Sequence, residues 1–532
     1  DDFFEKNVTG EDQVQISENG NYTFKNGASI TNTDINNKDG AQAIISHEGT
    51  IGKINKITIN VGNNAKRSQF ILKGESDINI LQANINQSNA SQVLFALNNN
   101  IINAYDYSET NINAKNTDVC LTGTFMNGIS SDEEYYNNGK VYNHDIKFTV
   151  DGNNSTNFYI CGNMFTGIYA SDSSEYNFDN LNNFSIINMH QPKNVQSNQS
   201  GIYLRSEAQM DIDADNLYIG GVVNGSDETV FGSAFRVANG SILNVSVNDE
   251  FTLTSSKIGI ENTASYAYIN AGTVNIYATG NDADTYTRYG AIMQGSGYLN
   301  LKAINNINLS GADFGLKFNK EAPQFSSSLE HDESVLGEAE VTSEKGSIFI
   351  EGREGYGLLS EIRQHQDSQD SVKKAVVTAD KDIKIEGKKS GVSYYAASRN
   401  LDVTSKHSNI QISSDNIGLS VGGSVSATVE ESYLRGKANF DALNGSIDVY
   451  GQKSGIVADN SQVNVIKKLD GINTRFKGAY FANVNITAKD AVNIVGTDDY
   501  GIQAKNTLSD IELKDSALPK DVNLNLKVKS QG

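Results

Sequence analysis

The chain has 532 residues, a formal net charge of −21, 47 glycines, three prolines and no tryptophan. So acidic a chain disfavours a nucleic-acid partner, which needs clustered Lys and Arg, and no apolar run approaches the ~20 residues of a membrane-spanning helix. Hydrophobic residues make up 38%, sparse for a thick core but enough for strands that bury alternate side chains.

Residues 1–27 carry Val14-Gln-Ile16 and Tyr22-Thr-Phe24, expected as a first coil or as a cap over an open stack end, where a bare edge would recruit other chains. Residues 28–532 read as one repetitive β body. Alternation is plain in Ile57-Thr-Ile59-Asn-Val61, Ile78-Asn-Ile80 and Ile112. Residues 130–145 break it, and Asn138-Gly139 between aromatic residues signals a projecting hairpin. Further insertions are expected at 190–200, 281–289, 321–340, 362–374 and 429–441. Between them Gly167-Ile-Tyr, Gly201-Ile-Tyr and Gly232-Ser-Ala-Phe-Arg mark a recurring strand.

Towards the C-terminus the unit is explicit. Residues 446–459 read Ser-Ile-Asp-Val-Tyr-Gly-Gln-Lys-Ser-Gly-Ile-Val-Ala-Asp, and 491–505 repeat the pattern as Ala-Val-Asn-Ile-Val-Gly-Thr-Asp-Asp-Tyr-Gly-Ile-Gln-Ala-Lys. Each is a period-2 strand, a glycine corner and a second strand opened by Gly-Ile; a third alternating strand follows, Val463-Asn-Val465 and Ile511-Glu-Leu513 in these two cases. First strands recur at Val274/Ile276, Ile307/Leu309, Ile348/Ile350, Ile383/Ile385 and Ile410/Ile412. The second-strand glycine falls at 259, 290, 315, 357, 391, 418, 455 and 501, with steps from 25 residues (290 to 315) to 46 (455 to 501). A fixed scaffold with variable loops gives such a series, the mark of a solenoid. One coil cannot fold alone: each inward side chain yields about 1.5–3 kcal/mol, against ~1–2 kcal/mol of backbone entropy per ordered residue. Stacking is obligatory.

No catalytic motif is present: neither Gly-Asp-Ser-Gly, Gly-x-Ser-x-Gly, His-Glu-x-x-His, a phosphate-binding glycine loop nor Cys-x-x-Cys occurs. The six histidines are scattered. Cys120 and Cys161 are expected on neighbouring second strands, either paired as a disulfide or as two separate thiols. Asp211, Asp213 and Asp215 share an outward face, a weak Ca²⁺ candidate against plain solvated carboxylates. Arg205 and Arg236 each follow a glycine by four residues and are expected to stack on adjacent coils. The outward first-strand residues Thr58, Asn79, Asn113, Thr149, Asn275, Asn308, Gln411, Asp448 and Asn493 form an expected polar ladder for self-association. A second binding candidate is the hairpin, with Asp132, Glu133, Glu134, Tyr135, Tyr136 and Tyr142 offering rigid aromatic contact area.

The repeated Ile-x-Ile/Val-x-Gly followed by Gly-Ile-x-Ala, as at 447–458 and 492–504, resembles the secreted passenger domain of bacterial autotransporters. The resemblance implies an all-β fold, a right-handed three-stranded parallel β-helix with protruding loops. It is most similar to the adhesins of that group, some of which self-associate between cells. It therefore implies a non-enzymatic surface or secreted protein acting in aggregation, biofilm or host attachment, with no cofactor. Its partners would be a second copy on a neighbouring cell, or a host protein or glycan, with no nucleic acid and no membrane insertion by this fragment. The family's C-terminal translocator barrel matches no segment, and the chain, starting at Asp1-Asp2-Phe3-Phe4, reads as a mature or trimmed fragment. The alternative is a polysaccharide-degrading enzyme of the β-helical lyase kind, suggested by acidic residues plus an Arg on an outer face.

Overall fold

The computed structural model describes side chains at residues 111–116, 118–121, 127–129, 131, 146–189, 199–221, 231–280, 289–318, 338–360, 375–394, 400–422, 438–458 and 484–503, and backbone strands beyond these. Among the described residues the protein is all-β, its parallel strands stacked in an arrangement consistent with a β-helix or solenoid. The chain divides into two compact units, one of Asp1–Ser256 with Ile269–Ala271, the other of Lys257–Tyr268 with Gly272–Gly532.

In the second unit the expected first strands pair in register. Val274 lies beside Ile307, then Ile348, Ile383, Ile410, Ile447 and Val492. All but Val492 are fully buried. The physical cause is the period of two: a one-residue slip would turn every Ile to solvent and every Asn inward. A second series joins Ile260, Ile292, Leu316, Leu358, Val392, Leu419, Ile456 and Ile502. A third joins Leu301, Val341, Val377, Val403, Phe440, Ile486 and Val528.

Close approach explains the glycine before the second-series residue. A Cβ on Gly357 would lie 2.6 Å from the Gly391 carbonyl oxygen and 2.6 Å from Ile385 Cγ2, inside contact distance of the next coil. The position is less uniform than the sequence implies. Ile258 pairs with Gly290 and Ile260 with Ile292, so Gly259 faces Ala291, and Gly290 sits one residue early, against the Phe314 ring.

One expected third strand is displaced. Val463 and Val465 belong to a long strand, Ser454–Leu469, that runs on from the second series and pairs antiparallel with Ile472–Tyr480. The third-series place falls to Asn483–Ala488, which Lys437–Ala442 pairs in parallel. Alternation marks Val463-Asn-Val465 as strand but carries no information about the partner. Ile511-Glu-Leu513 lies outside the described residues, and Leu526–Ser530 closes the third series.

The first unit stacks the same way. Ile112, Val150, Phe178, Ile212 and Val245 form one inward column. Leu121, Ile160, Ile186, Ile219 and Leu253 form another. Its core is aromatic. Phe178 packs at ring-centroid distances of 4.9 Å from Phe158, 5.0 Å from Phe184 and 6.1 Å from Phe148, and Phe158 stacks on Phe184 at 5.3 Å. Residues 1–27 contribute strands to the pairing: Phe4–Val8 joins Gly20–Phe24, which joins Gln42–His47, and Gln13–Ile16 joins Thr33–Asn37. The Gly232 position is corrected: Ser200 pairs with Ser233 and Ile202 with Phe235, so Ala234 stands opposite Gly201.

Candidate binding face

First strands of the second unit expose every other residue, and stacking converts this alternation into two parallel outward columns. One column runs Asn275, Asn308, Phe349, Lys384, Gln411, Asp448, Asn493. The five ladder residues expected here therefore stand in register, but Phe349, 37% exposed, and Lys384 interrupt them. Asn308 Nδ2 donates to Asn275 Oδ1 at 2.8 Å, and Asn493 Nδ2 to Asp448 Oδ1 at 2.7 Å. Each such bond nets about 0.5–1.5 kcal/mol. A carboxamide that spends one N–H along its column keeps the second for a partner.

The adjacent column, two residues further along each strand, runs Tyr277, Ser310, Glu351, Glu386, Ser413, Tyr450, Val495. It was legible by the same alternation but lies outside the expected ladder. Tyr277, Tyr450 and Val495 are exposed apolar surface. Where this column meets the corners, Glu351, Arg353, Glu386, Lys388, Asp415 and Tyr450 are among the residues around a groove of about 380 Å³. Arg353 is anchored at its rim: Nη1 donates to Ser310 Oγ at 2.7 Å, Nη2 to the Ala278 and Thr279 carbonyls, and the guanidinium lies 4.5 Å from the Tyr277 ring centroid. Lys388 Nζ pairs with Glu354 at 3.0 Å and Lys384 with Glu386 at 3.0 Å. Tyr450 Oη donates to Gln452 Oε1 at 2.7 Å.

In the first unit the expected ladder residues do not share one column. Asn79 pairs with Asn113, and Asn113 with Asp151, whereas Thr149 pairs with Asn111 and Asn177, and Thr58 with Asn84. The step from one strand to the next is fixed by pairing, which residue type does not reveal. Thr58 and Asn79 are described by backbone alone.

Asp211, Asp213 and Asp215 do point outward, with Ile212 and Ala214 buried between them. Asn244 Nδ2 donates to Asp211 at 2.7 Å and Asn248 Nδ2 to Asp215 at 2.7 Å. Among the described residues no three His, Cys, Asp or Glu side chains are grouped to hold a metal. Behind them, Asp151 pairs with Asp179. Partial burial, and then the Asp151, Asp213 and Asp211 carboxylates, hold the Asp179 carboxyl above its ordinary range. A raised acid favours the proton-bound folded state. Stability from this group is thus fully present below the unfolded value of about 3.9 and lost as pH rises through the folded one. Asp179→Asn is expected to raise the melting temperature at pH 7, with the gain vanishing near pH 3. Equal gains at both pH values in a calorimetric scan would assign the effect to something other than charge.

Arg205 and Arg236 do not stack on each other. Tyr203 pairs with Arg236, whose guanidinium lies 4.6 Å from the Tyr203 ring centroid; Tyr203 stacks on Tyr169 at 5.0 Å, and Arg205 Nη1 donates to Tyr169 Oη at 3.2 Å. The offset follows from Ala234, not Gly232, facing Gly201.

Cys120 and Cys161 lie on neighbouring strands, as expected, but two residues out of register: Cys120 pairs with Tyr159, and Cys161 with Thr122. Such a diagonal separates Cα atoms by roughly 8 Å, beyond disulfide reach. Both thiols are free, and burial pushes both above the ordinary thiol range. Cys161 Sγ instead contacts Met189 Sδ at 3.6 Å.

The hairpin forms at the expected place, Tyr135–Asn137 pairing antiparallel with Lys140–Tyr142 so that Tyr135 faces Tyr142 along the backbone. Asp132, Glu133 and Glu134, and the side chains of Tyr135, Tyr136 and Tyr142, lie outside the described residues. His407 is the described histidine, its Nδ1 2.8 Å from Asp380 Oδ1.

Sequence reasoning also missed a third-strand amide column, in which Asn439 donates to Asp402 at 2.8 Å and Asn485 to Asn439 at 2.7 Å. The signal was present as the middle residue of Leu401-Asp-Val403, Ala438-Asn-Phe440 and Val484-Asn-Ile486. Compared with protein-family models, with curated proteins and with solved structures, the chain matches none of them.

Proposed function

We propose that the chain is a non-enzymatic adhesin of a bacterial surface, displayed or secreted, built as a right-handed three-stranded parallel β-helix. Three series of parallel pairs in the second unit support three strands per coil, and parallel crossovers are right-handed in about 98% of cases, which supports the hand. The observation that carries the adhesive reading is the two-column outer face of the second unit. Asn275 and Asn308, then Gln411, Asp448 and Asn493, stand there at strand spacing on either side of Phe349 and Lys384, beside exposed Tyr277 and Tyr450. Hydrogen-bonding groups repeated about every 4.8 Å meet a second copy as many weak, simultaneous contacts, strong in sum and individually reversible. The primary partner is a second copy on a neighbouring cell; a host surface protein or glycan is the other.

The test is cell settling. Displayed on a non-aggregating bacterium, the wild-type chain is expected to make cells settle. A triple variant Asn275→Lys, Gln411→Lys, Asn493→Lys places like charges on both copies and is expected to abolish settling while circular dichroism stays unchanged. Unchanged settling in that variant rejects this face as the contact, and loss only on deleting residues 132–142 transfers the contact to the hairpin.

A further inference from the structure

We propose that the groove beside Tyr450 binds a neutral sugar, which defines a ligand for the same face that carries the adhesive reading. The inference rests on that reading only for its biological use. Four successive strands supply the floor: Glu351 pairs with Glu386, Glu386 with Ser413, and Ser413 with Tyr450. Three strand steps give a length of roughly 14 Å. The volume of about 380 Å³ lies at the small end of the range for small-molecule sites.

Lining chemistry selects the ligand class. The rim carries both signs, the carboxylates of Glu351, Glu386 and Asp415 against Arg353 and Lys388, so it offers no single-sign field to select an ion, and its three carboxylates repel an anion. Both cationic groups are already engaged, Arg353 with Ser310 and two carbonyls, Lys388 with Glu354. What remains is acceptor-rich. Asp415 and Ser413 have no hydrogen-bond partner for their side chains among the described residues, and Glu351 accepts from Ser310 Oγ at 3.1 Å while keeping further lone pairs. A carboxylate accepts from two adjacent hydroxyls at once, the pattern a pyranose edge presents.

The remaining wall is aromatic and fixed. Tyr450 is 38% exposed. Its hydroxyl is tied to Gln452 at 2.7 Å and accepts from Thr497 at 3.4 Å, so the ring is held while it remains partly open. An immobilised ring next to unsatisfied acceptors matches the two surfaces of a sugar, a C–H face that stacks and an O–H edge that donates. An anion is repelled by those acceptors.

Saturation-transfer NMR on the purified full chain tests this with three probe sets: neutral trisaccharides (maltotriose, cellotriose, chitotriose), an anionic hyaluronan hexasaccharide, and the cation spermidine. At least one neutral trisaccharide is expected to bind. Its affinity is expected to fall roughly tenfold or more on Tyr450→Ala and on Asp415→Asn, and to hold in Tyr268→Ala, which removes an exposed tyrosine elsewhere in the second unit. Absence of saturation transfer to every neutral probe overturns the proposal, as does binding of the charged probes alone or neutral binding indifferent to both groove variants. Sugar binding is read without cells and settling without sugar, so either result can fail while the other stands.

Discussion

Replacing Phe178 by Ala is expected to destabilise the first unit by about 3–5 kcal/mol, the cost of removing a buried aromatic side chain and leaving its cavity. Phe178 is fully buried, within 6.1 Å of three other phenylalanine rings and in register with Val150 on one side and Ile212 on the other. The surrounding rings cannot close the gap, because each is held on a strand whose place is fixed by pairing to both neighbours. In a stacked architecture stability is a sum over neighbouring coils, so the damage should be local. Hydrogen exchange should therefore show lost protection in Ile146–Asp151, Glu175–Asn188 and Gln209–Gly221, fading with each coil further away. Protection unchanged in all three strands would contradict the packing described.

Gly451→Val is expected to cost about 2–4 kcal/mol, by overpacking against main chain rather than against side chains that can rotate. A Cβ at Gly451 would lie 1.8 Å from the Ser454 carbonyl oxygen and 2.7 Å from that of Asn416. The first of these belongs to the corner itself, and the second to the preceding coil. An internal control sits one coil away: Ser414 pairs with Gly451 and carries a side chain, its Oγ donating to the Lys388 carbonyl at 3.1 Å and accepting from Asn416 N at 3.0 Å. Ser414→Gly should thus lose no packing against main chain, but two hydrogen bonds worth about 0.5–1.5 kcal/mol each and about 0.5–1 kcal/mol of backbone entropy. Urea unfolding checks this; a Gly451→Val loss no larger than about 0.5 kcal/mol, as at an unconstrained surface site, would show that the Gly451 corner opens freely.

The two variants separate what alternation dictates from what path dictates. Gly451 and Ser414 occupy the same rung, so register alone does not demand glycine. The demand comes from how the following residues fold back, and Gly451-Gln-Lys-Ser454 turns its carbonyl inward. The groove proposed to hold a sugar exists for the same reason. Corners after Gly352, Gly387 and Ser414 carry Arg353, Lys388 and Asp415 outward along its rim.

By itself the sequence determined the strands and their inward faces. A period of two with Ile, Leu and Val on one parity admits one burial pattern, and the column of Val274, Ile307, Ile348, Ile383, Ile410, Ile447 and Val492 obeys it. Tertiary structure alone decided the partners. That Val463 and Val465 turn to an antiparallel neighbour, that Cys120 misses Cys161 by two residues, and that Arg236 lies over Tyr203 all depend on loop paths between strands. A side-chain period repeats every two residues and is blind to how far the chain travels before its next strand, so it fixes which face is buried and leaves open which strand lies alongside.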